Sequence, residues 1–128
     1  MKFHLHLLIE AEVNKPPQDE QLAKDWLDRL IVAIGMEKFG GPWAKYCDDP
    51  ENRGLTAQAW LTTSHVAFHA WDGCDQPFMK FDVYSCRDFS VDTILELFEE
   101  FEPVAGAYTI INRTDTKAPP LITQGSIL

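Results

Sequence analysis

Residues 62–86, TTSHVAFHAWDGCDQPFMKFDVYSC, hold the pattern from which the fold and chemistry of this chain are predicted. Two mainly apolar runs, SHVAFHAW and PFMKFDVYSC, are separated by the short polar segment DGCDQ. Apolar and polar residues that alternate on both sides of such a turn predict a β-hairpin. A serine, two histidines and a cysteine lie in these strands, so the hairpin is also the first candidate for a reactive site.

The sequence around this hairpin predicts five further regular elements. Residues 1–11 alternate as a strand with one buried face, and residues 18–36 repeat apolar side chains at helical spacing. Residues 55–62 are predicted as a strand, Ser90 is predicted to cap a second helix, and residues 104–112 are predicted as the last strand. The order β-α-β-β-β-α-β predicts a two-layer α+β sandwich in which two helices cover one face of a mostly antiparallel sheet.

The length of 128 residues predicts one domain over residues 1–112, followed by an irregular tail over residues 113–128. Residues 38–54 are dense in Gly, Pro, Asp and Asn, and a long irregular loop is expected there. Because two helices cover only one face of the sheet, the other face is expected to meet solvent, a ligand or a second subunit.

The net charge of −9 argues against nucleic acid and anionic membranes as partners, since both require a positive protein surface. It is compatible with a cationic ligand. The sequence has no apolar run of about eighteen residues, which a membrane span requires, and its N-terminus lacks the features of a secretory signal. The three cysteines have no metal-ligand spacing and are expected to be reduced thiols of a cytoplasmic protein.

The motif LTTSHVAFHAWDG, followed by FDVYSC, resembles the small prokaryotic S-adenosylmethionine decarboxylases. That family has a Ser-His pair at the start of a strand, a second histidine four residues after the first, a tryptophan, and an aspartate-containing strand that ends in cysteine. In this sequence the matching residues are Ser64, His65, His69, Trp71, Asp82 and Cys86. The opening strand LHLLIEA and the order of elements are also similar, so the resemblance extends over about residues 3–112.

The resemblance implies an enzyme that cleaves its own chain between Thr63 and Ser64 and converts Ser64 into a pyruvoyl group. Such a group accepts electrons during decarboxylation, as pyridoxal phosphate does. By the same resemblance, His69 is the acid or base of processing and Cys86 is the proton donor to the product carbon. The implied reaction is decarboxylation of S-adenosylmethionine for spermidine synthesis, without a metal, in a homodimer whose sites lie near the subunit junction.

Two positions depart from the family pattern. Thr63 replaces a glutamate, which keeps the carbonyl needed for cleavage but removes a carboxylate. Asp72–Gly73 replaces Pro-Glu, in which the glutamate is expected to bind the ribose hydroxyls of the substrate, and Asp72 is the acid nearest to that position. These departures keep two alternatives open. One is an unprocessed homologue that binds S-adenosylmethionine or a related ligand without decarboxylation, and the other is a pyruvoyl decarboxylase of another amino acid, such as ornithine or arginine.

Further substrate-binding candidates lie outside the hairpin. Phe39, Trp43 and Tyr46 are suited to stack on an adenine or to contact a sulfonium through cation–π attraction, and equally to form a small core within their own loop. Glu10 is suited to balance the charge of a cationic substrate.

The histidines also have structural explanations. His4, His6 and Glu10 share one strand face, but the sequence places no further ligand beside them, and no metal is expected. Ser64 and His69 are five residues apart and therefore point to opposite faces of a regular strand. Taken alone, His69 is explained as a core histidine.

Overall fold

The computed structural model describes residues 3–128 as one antiparallel sheet of seven strands packed against two helices. The strand order is β2-β3-β4-β5-β1-β6-β7. The elements are β1 (Leu5–Val13), α1 (Glu20–Ala33), β2 (Lys38–Cys47), β3 (Gly54–Leu61), β4 (Ser64–Trp71), β5 (Phe78–Ser85), α2 (Val91–Phe98), β6 (Pro103–Asn112) and β7 (Leu121–Ser126). The predicted α+β sandwich is therefore confirmed. The first two residues of the predicted strand 1–11 lie outside the described residues.

The alternation seen in the sequence determines which face of each central strand is buried. Along β1, Leu7, Ile9, Ala11 and Val13 point toward the helices and are buried, whereas the residues between them are half-buried or exposed. The same alternation runs through β3, β4 and β5. The helices thus cover one face, and the other face, called the open face below, carries the polar residues of these strands.

Trp26 is the centre of the core and joins both helices to the sheet. It is 2% exposed, and its ring lies edge-on to Phe68 of β4 and Phe81 of β5, with centroid separations of 5.8 and 5.9 Å. It also contacts Phe98 of α2 at 6.3 Å, and its indole N–H donates to the Leu97 carbonyl at 3.1 Å. The buried indole therefore has both an apolar environment and a partner for its one donor.

Both helices begin at side-chain caps that the sequence encodes. The Asp19 carboxylate accepts a hydrogen bond from the Leu22 amide at 2.9 Å at the start of α1. The Ser90 hydroxyl accepts one from the Thr93 amide at 3.2 Å at the start of α2, as predicted for Ser90. Each cap satisfies an amide that has no partner within the helix.

Two predicted irregular segments contain the outermost strands of the sheet. The expected loop over residues 38–54 contains β2, and the expected tail over residues 113–128 contains β7. Each pairs with only one neighbour, and β2 shifts register on both sides of Gly40. Proline and glycine are tolerated on an edge strand, because one of its sides needs no ladder hydrogen bonds. Most residues of β7 are exposed on both faces, so its sequence shows no alternation.

Among residues 3–128, no helix combines the length and the apolar character that crossing a bilayer requires.

Replacing Trp26 by alanine is expected to lower the free energy of unfolding by about 3–5 kcal/mol, because the substitution leaves a large cavity and removes the bond to Leu97. Urea unfolding measures this change. Trp60→Ala is the matched control, since Trp60 is 50% exposed on the open face, and its expected cost is below about 1 kcal/mol. Equal losses in both variants would contradict this account of the core.

Candidate functional site

The bond between Thr63 and Ser64 lies where a tight turn meets a strand. Leu61, the last residue of β3, pairs with Ser64, the first residue of β4, so only Thr62 and Thr63 form the turn. Ser64 also pairs with Ser85 at the end of β5. It lies on the helix side of β4, in alternation with the buried Val66, and is half-buried.

The carbonyl of Thr63 accepts a hydrogen bond from the backbone amide of Cys86 at 3.1 Å. This contact brings Cys86 beside the peptide bond that precedes Ser64. The free thiol of Cys86 is half-buried. An amide that donates to a carbonyl oxygen stabilises the negative charge that forms on that oxygen when a nucleophile attacks the carbon. The structure therefore brings together Ser64, Cys86 and a polarised carbonyl.

The side chain of Thr63 is fixed on the helix side of the same turn. Its hydroxyl donates to the sulfur of Met36 at 3.2 Å and accepts from the Ser85 hydroxyl at 3.2 Å. Ser85 is fully buried, and its oxygen accepts from the Arg87 amide at 3.0 Å. These contacts hold Thr63 through neutral groups. The glutamate carboxylate that the family pattern has at this position is absent.

His69 lies apart from Ser64 and Cys86 within the chain. Its Nδ1 lies 2.9 Å from the Thr56 hydroxyl, and its ring stacks on Trp71 with centroids 5.7 Å apart. It is exposed on the open face, opposite to Ser64, as the five-residue spacing predicts. Five steps along a strand span about 16 Å. A single chain therefore does not bring His69 to the Ser64 hydroxyl.

Tyr46 and Asp72 form a pair at the far end of β4 from Ser64. The Tyr46 hydroxyl lies 2.9 Å from both Asp72 carboxylate oxygens, and the Gln18 side-chain amide donates to Asp72 at 3.1 Å. Desolvation of the phenol, followed by the hydrogen bond to Asp72, raises the pKa of Tyr46 above its ordinary value of 10.0. The carboxylate predicted to bind ribose thus already has two protein partners.

The remaining substrate-binding candidates do not meet in one pocket. Glu10 forms an ion pair with Lys80 of β5 on the open face. Trp43 packs on Trp60 at a centroid distance of 4.8 Å, on the same face but near the β2 edge. Phe39 is 73% exposed on β2. Trp43 and Tyr46 were predicted to act together, but they point to opposite faces of β2. Tyr46 packs toward the core.

A polar cluster on the open face was missed by the sequence analysis. Nε2 of His6 lies 2.9 Å from Oδ2 of Asp82, and Nε2 of His65 lies 3.5 Å from the same oxygen. Tyr84 lies beside them, with its hydroxyl 2.9 Å from Nδ1 of His4. Strand alternation puts Asp82 and Tyr84 on one face, but only the pairing of β1 and β4 with β5 brings the histidines to them.

This chain belongs to the S-adenosylmethionine decarboxylase family, because the model of that family matches residues 5–114. The crystal structure of the adenosylmethionine decarboxylase from Aquifex aeolicus VF5 has the same fold, with a TM-score of 0.67. The match covers 85% of this chain and 88% of that chain at 17% sequence identity. A search of curated protein sequences finds no match to this chain.

Neutralising Asp72 is expected to lower the pKa of Tyr46. In Asp72→Asn the side chain no longer repels the phenolate, which therefore forms at a lower pH, while the contribution of desolvation remains. An alkaline titration that follows phenolate absorbance measures the shift, and Tyr46→Phe identifies which transition belongs to Tyr46. Asp75→Asn is the matched control and should leave the transition in place. A transition that does not move in Asp72→Asn would refute the pairing.

Proposed function

We propose that this protein cleaves its own chain between Thr63 and Ser64 and uses the resulting pyruvoyl group to decarboxylate S-adenosylmethionine for polyamine synthesis. The observation that carries the proposal is the hydrogen bond of 3.1 Å from the Cys86 amide to the Thr63 carbonyl. This hydrogen bond polarises the Thr63 carbonyl, which directly precedes Ser64, the residue whose hydroxyl the family pattern requires. Membership of the S-adenosylmethionine decarboxylase family supports the choice of reaction.

The self-cleavage begins with the Ser64 hydroxyl and the Thr63 carbonyl. The Ser64 hydroxyl oxygen bonds to the Thr63 carbonyl carbon, the C–N bond breaks, and the nitrogen takes up the proton, which gives an ester. A base then removes the Cα proton of Ser64, and the Thr63 carboxylate leaves from Cβ. Addition of one water and loss of ammonia convert the remaining unsaturated residue to pyruvoyl. Thr63 provides only its carbonyl to these steps, so a threonine is compatible with them.

The pyruvoyl group would supply an electron sink for loss of the substrate carboxylate. Cys86, which follows the end of β5, lies beside the peptide bond before Ser64. The Cys86 amide is hydrogen-bonded to the residue before Ser64, and the Cys86 thiol is half-buried. A thiol in this position is suited to return a proton to the product carbon, the role that the family resemblance gives to Cys86.

The separation of His69 from Ser64 favours a site shared between two chains. The two residues lie on opposite faces, about 16 Å apart along β4, and Thr56 orients His69 toward the open face. In a homodimer that buries the open face, the partner's His69 would reach Ser64 only past the end of β4, because Ser64 lies on the helix side. The exposed Trp43 and Trp60 on that face gain burial in such a homodimer.

A pyruvoyl decarboxylase of another amino acid, such as ornithine or arginine, is the second candidate. The specific observation in its favour is that Tyr46 and Gln18 bind the carboxylate of Asp72. Asp72 is the acid nearest to the position at which the family binds ribose, and its existing partners compete with ribose hydroxyls. The net charge of −9 suits either cationic substrate.

Purified protein is expected to contain two fragments, residues 1–63 and residues 64–128, the second without a free amino terminus. A denaturing gel and intact mass spectrometry measure this. Ser64→Ala should remain intact, while Ser126→Ala, a serine on the exposed edge strand, should be cleaved normally. Carbon dioxide release from S-adenosylmethionine, ornithine and arginine then identifies the substrate. A wild-type chain that stays intact after long incubation would leave only ligand binding without decarboxylation.

Coexpression is expected to show that two chains share the reaction. His69→Ala alone should be cleaved slowly or not at all, and Ser64→Ala alone cannot be cleaved. When the two variants are coexpressed with tags of different mass, the His69→Ala chain should be cleaved, because the Ser64→Ala chain supplies an intact His69. Cleavage that remains absent in assembled mixed dimers would show that His69 acts within its own chain.

A further inference from the structure

We propose that His6, His65 and Asp82 on the open face form a binding site for a divalent transition metal, with Zn²⁺ as the reference ion. Each residue offers one ligand atom, and these atoms all lie within 4.8 Å of one another. The family resemblance gives no metal-binding role to these three residues, and the reaction proposed above does not involve a metal bound by them.

The distances between the ligand atoms suit a metal ion at their centre. Oδ2 of Asp82 lies 2.9 Å from Nε2 of His6 and 3.5 Å from Nε2 of His65. A tetrahedral zinc ion with bonds of about 2.1 Å separates its ligand atoms by about 3.4 Å. These two separations lie on either side of that value, and the two histidine nitrogens lie within 4.8 Å of each other, so side-chain rotations place all three atoms around one ion.

The backbone ladder fixes the three positions. His6 of β1 and His65 of β4 both pair with Tyr84 of β5, so they flank it in one row across three adjacent strands. Asp82 lies two residues from Tyr84 on the same face, between the two histidines. The rings of His6 and His65 are nearly perpendicular, at 86°, with centroids 6.1 Å apart. A site on three paired strands loses little conformational freedom when it binds an ion.

The donor set determines the class of metal. Two imidazole nitrogens and one carboxylate suit zinc and its neighbours in the first transition series, whereas Mg²⁺ and Ca²⁺ prefer sites built from oxygen. In the single chain, the side chains of His6, His65 and Asp82 are 22%, 46% and 30% exposed, so solvent reaches the site when the open face is uncovered. Three protein ligands leave a coordination position open to water or to a ligand from another molecule.

Within residues 3–128, no lysine or arginine forms an ion pair with the Asp82 carboxylate. The neighbouring lysine on β5, Lys80, is bound to Glu10. Arg113 lies over the ring of Tyr84, 4.9 Å from its centroid. The partners that the structure gives to Asp82 are thus the two histidines, which are themselves potential metal ligands.

The test uses the full chain without a histidine tag, stripped with a chelator and titrated with Zn²⁺ and Co²⁺. We expect one equivalent to bind per chain, visible absorption bands from bound Co²⁺, and a higher melting temperature with Zn²⁺, because the ion binds only the folded state. Asp82→Asn preserves the shape of the side chain, and His65→Ala removes one ligand. Each should weaken binding by about tenfold or more.

His69→Ala is the matched control, because it also removes an open-face histidine but lies outside the cluster. Its affinity for Zn²⁺ should equal that of the wild type. Absence of stoichiometric binding, or equal affinity in wild type and Asp82→Asn, would overturn the proposal and leave a histidine–aspartate ion pair. A similar loss in His69→Ala would also overturn it. Repeating the titration in uncut Ser64→Ala makes the result independent of self-cleavage.

Discussion

The antiparallel register between β4 and β5 is the constraint on which both the fold and the site depend. It pairs Ser64 with Ser85 and therefore carries the next residue, Cys86, to the carbonyl of Thr63. A shift of one residue would turn every side chain of β4 to the other face. Val66 and Phe68 would then leave the core, so the hydrophobic free energy of that face also holds Ser64 and Cys86 in place.

The two faces of the sheet have different roles because the helices cover only one of them. Trp26 and its aromatic neighbours fill the covered face, and this packing makes the strands a rigid support. The open face carries ordered polar contacts, including His69 with Thr56 and Glu10 with Lys80. Rigid strands place such side chains more accurately than loops do, since the ladder fixes both their spacing and their direction.

The sequence was sufficient to predict the central strands, both helices and the Ser90 cap, because each leaves a local pattern of alternation, helical spacing or capping. It was insufficient for β2 and β7, whose exposed residues do not alternate and whose pairing involves only one neighbour. The same limit applies to the site. The histidine pair around Asp82 depends on the register in which β1, distant in sequence, pairs with the β4–β5 hairpin, and no local pattern contains that information.

The irregular outer strand β2 also limits how copies of this protein associate. It contains Pro42, which cannot donate to a neighbouring strand, together with Lys38 and Lys45, and its register is interrupted twice. Such features discourage a foreign strand from extending the sheet sideways. Stacking through the uncovered surface is not hindered in this way. The β2 edge of the sheet therefore opposes fibril growth at that side while leaving face-to-face association accessible.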